Sequence, residues 1–175
     1  MRIESLTRIA VLVLCATFAT FGASGADKPV SNKELGFEVT FPETWTVIEK
    51  KIKKIEDIHL GVLALSPTAT GATSSANLEL CVSDVNEGTT LKAFVENMKV
   101  VQPAEKTELQ IGGIEAYKLV SKGGAPERPT KYVSYFLVRG ARGYFIGFSA
   151  LKDDYDKYAK DIDTIVKSFK IIETK

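Results

Sequence analysis

The feature that most constrains the fold of this 175-residue chain is a pair of hairpin signatures in its second half. In the first of them, strand-like segments at residues 106–111 and 114–120 flank Gly112 and Gly113. Adjacent glycines supply the positive φ angles that tight hairpin turns require. These two segments are therefore predicted to pair as antiparallel strands.

A second hairpin is predicted over residues 130–150. Its strands, residues 130–138 and 144–150, are the richest in aromatic and β-branched side chains, and the glycine-containing segment 139–143 joins them. We expect these strands at the centre of the sheet. Residues 122–129, which lie between the two hairpins, are polar and are predicted to form a loop.

Further strands are predicted upstream of the hairpins. Residues 36–41 alternate apolar and polar side chains, which is the period of a half-buried strand, and Pro42 ends the pattern. Residues 67–75 are mostly Pro, Thr, Ala, Gly and Ser, and are predicted to be a mobile surface loop. The other predicted strands are residues 45–48, 60–66 and 77–85, while residues 49–57 fit either a short helix or an irregular loop.

Two segments have the period of an amphipathic helix. One begins near Thr89 and is stopped by Pro103, because proline removes a helical hydrogen bond. The other opens at Asp153 and Asp154, whose carboxylates are predicted to cap its free amide groups. Their apolar stripes are Leu91, Phe94, Val95, Met98 and Val101 in the first helix, and Tyr155, Tyr158, Ile162, Ile165, Val166 and Phe169 in the second. With no repeat and no linker, we predict one α+β domain whose antiparallel sheet is covered by helices.

Residues 1–26 are predicted to be a secretory signal peptide. Two arginines precede an apolar run, residues 9–21, which is shorter than the roughly 20 residues that span a bilayer. Small residues follow, and cleavage is expected after Ala26, which leaves residues 27–175 as a single exported domain. An uncleaved N-terminal anchor is the alternative.

Removal of this segment leaves 149 residues with 21 basic and 21 acidic side chains. A chain without basic excess is not expected to bind nucleic acid, which depends on phosphate contacts. Cys15 leaves with the segment, and a lipoprotein is disfavoured because Leu14 stands where a lipobox has a small residue. Cys81 is then alone, so no intrachain disulfide is expected, and its strand context predicts a small buried hydrophobe.

The segment Gly36-Phe37-Glu38-Val39-Thr40-Phe41-Pro42-Glu43-Thr44-Trp45 resembles the opening of PsbP-like proteins. The later order is similar too: a hairpin over residues 111–119, an aromatic strand pair over 132–148, and a Tyr-rich helix that closes on residues 165–169. The resemblance implies the PsbP-like α-β-α sandwich with a central antiparallel sheet. That fold is shared with a yeast nuclear-import factor and many exported bacterial proteins.

The resemblance also suggests roles for the protein. PsbP proteins proper are extrinsic lumenal subunits of photosystem II that help retain calcium and chloride, partly through a flexible N-terminal extension. Here only about nine residues, 27–35, separate the predicted cleavage site from the first strand. The resemblance is therefore closer to the generic bacterial exported branch, from which no ligand or active site is carried over.

Candidate metal ligands were weighed against ordinary surface roles. His59 follows Glu56 and Asp57, but two carboxylates and one imidazole bind a divalent cation weakly, so a surface histidine is favoured. Five aspartates suggest calcium but lack the central Gly and terminal Glu of an EF-hand, so a helix cap followed by solvent-facing acids is favoured. These aspartates are residues 153, 154, 156, 161 and 163.

Other groups were weighed in the same way. The lysines at positions 50, 51, 53 and 54 are interpreted as a solvated face because acidic residues flank them. Ser149 with Lys152 has the spacing of a Ser-x-x-Lys dyad, but Ser149 lies inside a predicted strand. The aromatic residues Tyr132, Tyr135, Phe136, Tyr144, Phe145 and Phe148 are predicted to fill the core, with a partner groove at a sheet edge as the alternative.

The sequence thus predicts no catalytic, cofactor-binding or metal-binding residue. It favours a non-catalytic exported accessory or binding protein that docks on another protein or membrane complex on the extracytoplasmic side, either periplasmic or extracellular. The alternatives are a small-ligand or metal-ion carrier, a photosystem II subunit in the thylakoid lumen if the host is photosynthetic, and an enzyme built around Ser149 or Cys81.

Overall fold

The computed structural model describes residues 27–48, 58–98 and 105–173. These ranges contain ten strands, two α-helices and one 3₁₀ helix. The strands are β1 Lys28–Asn32, β2 Phe37–Phe41, β3 Thr46–Ile48, β4 Ile58–Leu65, β5 Asn77–Asp84, β6 Glu105–Ile111, β7 Ile114–Ala125, β8 Arg128–Arg139, β9 Arg142–Leu151 and β10 Lys170–Ile171. The α-helices are α1 Leu91–Asn97 and α2 Ala159–Ser168, and the 3₁₀ helix is Tyr155–Lys157.

Seven strands form one antiparallel sheet in the order β3-β4-β5-β9-β8-β7-β6. Strand β9 is central and β8 is its neighbour, which confirms the predicted position of the aromatic strands. Both predicted hairpins are present, and Gly112 and Gly113 form the turn of one with φ angles of 58° and 80°. The remaining strands form a second antiparallel sheet in the order β1-β2-β10.

The predicted loop at residues 122–129 is wrong. Strand β7 runs on to Ala125 and β8 starts at Arg128, so only Pro126 and Glu127 form the turn. The side chains at this end of the hairpin are mostly exposed, so they show no apolar alternation even though the backbone ladder is continuous. Backbone pairing does not depend on side-chain polarity, which is why the pattern failed here.

The segment before the first predicted strand is also partly structured. Residues 27–35 were expected to be a short extension, but Lys28–Asn32 pairs with β2 as an additional strand. Val30 is its one buried hydrophobic side chain, and a single apolar residue gives no strand period. The short β10 pairs with the other edge of β2 and was not predicted either.

Alternate residues of β9 belong to two different hydrophobic clusters. Tyr144 and Ile146 lie in the main core, which also holds buried residues of β2 and α2. Phe145 packs in a second cluster around Phe94 of α1 and Phe136 of β8. Because neighbouring side chains of a strand point to opposite faces, α1 and α2 cover opposite faces of the large sheet.

The predicted α-β-α sandwich is confirmed only in part. The large antiparallel sheet has a helix on each face, but the small sheet shares one face with α2. Helix α1 has seven residues and ends at Asn97, whereas the sequence predicted helix toward Pro103, which lies outside the described residues. Most of the predicted aromatic core is buried, namely Tyr135, Phe136, Tyr144 and Phe148, while Tyr132 and Phe145 are half-buried.

Trp45 joins the small sheet to α2. Its side chain is fully buried beside the Phe41 ring, with 6.4 Å between ring centroids. Its Nε1 donates a hydrogen bond of 3.0 Å to Asp161 Oδ2 on α2. At the other end of α2, Ser168 Oγ accepts a hydrogen bond of 2.9 Å from the backbone N–H of Thr40. Polar contacts therefore fix both ends of the helix, one end to Trp45 in the turn after β2 and the other end to β2 itself.

Loop residues 67–75, predicted to be a mobile surface loop, form hydrogen bonds to the segment that follows β9. The backbone N–H of Ala69 donates to the hydroxyl of Tyr158, and that hydroxyl donates to the carbonyl of Ser74. Thr73 and Gly71 bond to side chains of the segment that follows β9. The loop contains no periodic apolar residues, so its partners, which are 81 to 89 residues away in sequence, gave no local signal.

The predicted signal peptide, residues 1–26, and the charged stretch at residues 49–57 lie outside the described residues. Within residues 27–48, 58–98 and 105–173, no helix combines the length and apolar character that crossing a bilayer requires.

Phe94→Ala tests the packing of α1 on the sheet. Phe94 is 3% exposed and lies edge-on to Phe136, with 6.1 Å between ring centroids. Truncation should lower the free energy of unfolding by about 3 kcal/mol, measured by urea denaturation. Lys92→Ala on the exposed side of the same helix is the control and should change it by less than about 0.5 kcal/mol. Equal losses in both variants would contradict the packing described.

Candidate functional site

Of the residues considered as metal ligands in the first group, only His59 lies in the described part of the chain. His59 Nε2 lies 3.2 Å from Asp84 Oδ2 on the neighbouring strand, and both side chains are partly exposed. Glu56, Asp57 and the nearby lysines at positions 50–54 lie outside the described residues. Across the described ranges, no three His, Cys, Asp or Glu side chains form a group that could hold a metal ion.

The prediction that Asp154 caps a helix is wrong. Its buried carboxylate accepts hydrogen bonds from the backbone N–H and the hydroxyl of Thr73, at 2.9 and 2.8 Å, and from Lys157 Nζ at 2.8 Å. It makes no side-chain cap bond to the 3₁₀ helix. Asp161 and Asp163 bond to Trp45 and Lys167, so these acids have separate structural partners.

The two proposed nucleophiles have unfavourable surroundings. Ser149 lies between two residues that point into the main core, so its side chain is on the other face of the sheet, away from Lys152. Burial, with a contribution from the Glu79 charge, raises the pKa of the Cys81 thiol to about 12. The thiol is then neutral at physiological pH, whereas the thiolate is the reactive form.

A lysine-rich hollow of about 320 Å³ lies on the face of the sheet that carries α2. Its walls come from β6, β7, β8 and the segment after β9. The lining residues are Glu105, Lys118, Val120, Lys122, Lys131, Val133, Lys152, Tyr155 and Asp156. Four lysines and two acids give the hollow a net charge of +2, whereas the whole chain of 175 residues carries +1.

Strand register brings the lysines together. On β7, residues 118, 120 and 122 share one face because side chains alternate. Val120 is opposite Val133 on β8, and this pair contributes apolar surface to the hollow. Lys122 is directly opposite Lys131. Like charges at directly opposed positions destabilise a sheet, so packing alone does not account for this pair.

Only part of the positive charge is compensated. Lys131 Nζ lies 3.6 Å from Asp156 Oδ1 and 4.2 Å from the centroid of the Tyr155 ring. The Asp156 side chain is 90% exposed, and exposed ion pairs contribute little free energy. Lys122 and Lys152 have no ion-pair partner within the described ranges. Among the residues that the structure describes, the hollow therefore leaves ammonium groups available to an anion.

The two tyrosines beside the hollow add no negative charge. Burial raises the pKa of Tyr135 to about 12, and the Asp163 charge adds to this effect. Burial also raises the pKa of Tyr155, with contributions from Tyr135 and Asp156. Lys118 Nζ lies 5.9 Å from the Tyr135 ring centroid. Both phenols stay neutral at physiological pH, so the rings offer apolar and π surface only.

Asp154 and the tethered loop position one wall of the hollow. Asp154 directly precedes Tyr155 and Asp156, and its bonds to Thr73 and Lys157 hold the start of the 3₁₀ helix against the loop. The buried carboxylate of Asp154 thus fixes the position of this wall.

Sequence reasoning missed the hollow because it assigned residues 122–129 to a loop. That assignment separated Lys122 from Lys131, which the hairpin places opposite each other. The available signal was the spacing of the lysines. Lys118 and Lys122 are four residues apart, an even number, so they lie on the same face of any continuous strand. Lys152 and the 3₁₀ helix reach the same place only through the tertiary fold.

Comparison with known proteins identifies the family. The family model for PsbP-like proteins matches residues 26–171. The chain belongs to the PsbP-like family. This confirms the resemblance seen in the segment that ends in Trp45. No curated protein sequence matches the chain.

Solved structures share the PsbP-like fold at low sequence identity. Cyanobacterial PsbP (CyanoP) from Synechocystis sp. PCC 6803 is 17% identical, with a TM-score of 0.61 over 88% of this chain and 98% of that chain. LpqN from Mycobacterium tuberculosis, described as involved in cell envelope biogenesis, is 12% identical, with a TM-score of 0.62 over 83% and 90%. A Bacteroides thetaiotaomicron VPI-5482 protein is 12% identical, with a TM-score of 0.61 over 85% of this chain, which spans only 50% of that protein.

Lys122→Glu should make the unliganded protein more stable. The variant replaces a like-charge cross-strand pair with an attractive one, so the free energy of unfolding should rise by about 0.5 kcal/mol at low salt. Urea denaturation at low and high salt measures it, and salt should remove most of the gain. Lys106→Glu, on the other face of the hairpin beside Glu108, is the control and should not stabilise. A loss of stability in Lys122→Glu would contradict the like-charge interpretation.

Asp154→Asn tests the buried carboxylate through pH. Hydrogen bonds from Lys157 and Thr73 hold the pKa of Asp154 well below its ordinary value of 3.8. A group with a lowered pKa in the folded state stabilises the fold above its ordinary pKa and loses this contribution as pH falls toward the lowered value. The stability difference between wild type and Asp154→Asn should therefore be constant near neutral pH and shrink below about pH 3.8.

Chemical denaturation at several pH values measures this difference. Asp153→Asn removes the same charge from the exposed neighbouring residue and should leave the unfolding free energy nearly unchanged at neutral pH. If the stability difference between wild type and Asp154→Asn grows as the pH falls, the pKa of Asp154 is not lowered in the folded protein.

Proposed function

We propose that this PsbP-like protein is a non-catalytic binding protein that is exported by its signal peptide and docks, on the extracytoplasmic side of a membrane, onto another protein with an acidic surface. The PsbP-like family is generally non-enzymatic, which supports a binding role. LpqN, which shares the fold, is described as acting in cell envelope biogenesis, which supports the same side of the membrane.

The lysine-rich hollow carries this proposal. Its net charge of +2 is concentrated on one concave surface of a chain that is otherwise nearly balanced. A concave surface lined by one sign of charge focuses the field and speeds association with a partner of opposite sign. An acidic patch on the partner would pair with Lys122 and Lys152, which the described residues leave without ion-pair partners.

A carrier of a small anionic ligand is the second candidate function. The volume of about 320 Å³ falls at the lower end of the size range of small-molecule sites. The excess of ammonium groups disfavours a metal cation in the same place. A photosystem II role would apply if the host is photosynthetic, and the likeness to CyanoP supports it only at the level of fold.

Crosslinking in native cells tests the docking proposal. The tagged protein is crosslinked in its own host, the extracytoplasmic fraction is isolated, and captured proteins are identified by mass spectrometry. One acidic protein should be enriched with wild type and lost with the double variant Lys122→Glu and Lys131→Glu. Charge reversal should act mainly by slowing association, because it reverses the local field.

The matched control is the double variant Lys92→Glu and Lys167→Glu. These lysines lie on α1 and α2, each exposed and paired with an acid one helical turn away, and outside the hollow. The control should retain the partner. If the partner is captured equally by both double variants, the hollow is not the docking surface. If the wild-type protein is found in the cytoplasm, export is wrong.

A further inference from the structure

We propose that the lysine-rich hollow binds a phosphate monoester dianion attached to a small apolar group. This inference concerns the same hollow as the proposed function but does not require a protein partner. It follows from three features of the hollow: its uncompensated charge, the spacing of its opposed lysines and its apolar floor.

The uncompensated charge calls for a dianion. Four lysines face two acids, so one bound dianion makes the hollow electrically neutral. A monoanion leaves one ammonium group without a counterion.

The opposed pair Lys122 and Lys131 suits a tetrahedral anion. Residues directly opposite in an antiparallel sheet have their Cβ atoms roughly 5 Å apart, so both ammonium groups can reach oxygens of one phosphate. Lysine binds phosphate as a point charge and does not need the planar bidentate geometry that arginine supplies. Bound phosphate would also turn the like-charge repulsion into two attractive contacts.

The floor of the hollow accounts for the apolar group. Val120, Val133 and Tyr155 line the hollow together with the lysines; Val120 is half-buried, whereas Val133 and Tyr155 are only 1% and 6% exposed. Small-ligand sites combine apolar walls with a few polar groups that fix orientation. A free inorganic phosphate would leave the exposed part of Val120 and the methylene stems of the lysines in water, whereas an aromatic or aliphatic phosphate ester would cover them.

Phenyl phosphate is the probe, and isothermal titration calorimetry at pH 8 and low salt measures its binding to the protein purified from its own host. Phenyl sulfate has the same ring and a tetrahedral group but only one negative charge. Phenyl phosphate should bind roughly tenfold more tightly than phenyl sulfate. It should also bind more tightly than inorganic phosphate. Equal affinity for phenyl phosphate and phenyl sulfate would overturn the proposal.

Variants locate the site. Lys122→Gln with Lys131→Gln should weaken phenyl phosphate binding at least roughly tenfold, whereas Lys92→Gln with Lys167→Gln should leave it unchanged. Undiminished binding by the first pair would place the anion elsewhere and overturn the proposal. A capture experiment that finds no protein partner would leave this titration unaffected, so the two proposals fail separately.

A vesicle-binding experiment distinguishes two sources of the phosphate ester, a lipid headgroup and a soluble metabolite. Co-sedimentation with phosphatidylcholine vesicles that contain phosphatidic acid, lost in the Lys122→Gln and Lys131→Gln variant, would assign the ester to a lipid headgroup. Binding of soluble phenyl phosphate without co-sedimentation would assign it to a soluble metabolite. Binding of neither would overturn the proposal.

Discussion

The packing of β9 against a layer on each of its faces is the constraint on which the rest of the structure depends. Tyr144, Ile146 and Phe148 of this central strand pack in the main core, while Phe145 between them packs under α1. Gly143 leaves space for the Phe94 ring, which a Cβ atom there would approach to 2.4 Å. One strand thus organises both layers, and its neighbours take their register from it.

How much of this could be predicted depended on where side chains are buried. The central strands were found because their packing against other layers selects aromatic and β-branched residues. The tip of the β7–β8 hairpin and strand β1 were missed because their side chains are mostly in water, so their sequences carry no period. The hollow was missed for the same reason, since Lys122 and Lys131 belong to that exposed hairpin. The tether of Asp154 to Thr73 could not be predicted because it joins residues 81 positions apart.

The hollow exists because the layer over the large sheet is incomplete. The core shared with α2 and the small sheet includes Ile111 of β6 and Ala116 of β7, and the far end of the β7–β8 hairpin extends beyond it. The surface left over carries four lysines beside its few apolar residues, so it tolerates water without promoting aggregation.

The position of the single tryptophan has a consequence for spectroscopy. Trp45 is buried between the small sheet and α2, on the face away from α1. Its fluorescence reports the packing of the layer formed by α2 and the small sheet, and it does not change when α1 alone detaches from the other face. Agreement between fluorescence and far-ultraviolet circular dichroism during unfolding would therefore show that the two layers melt as one cooperative unit.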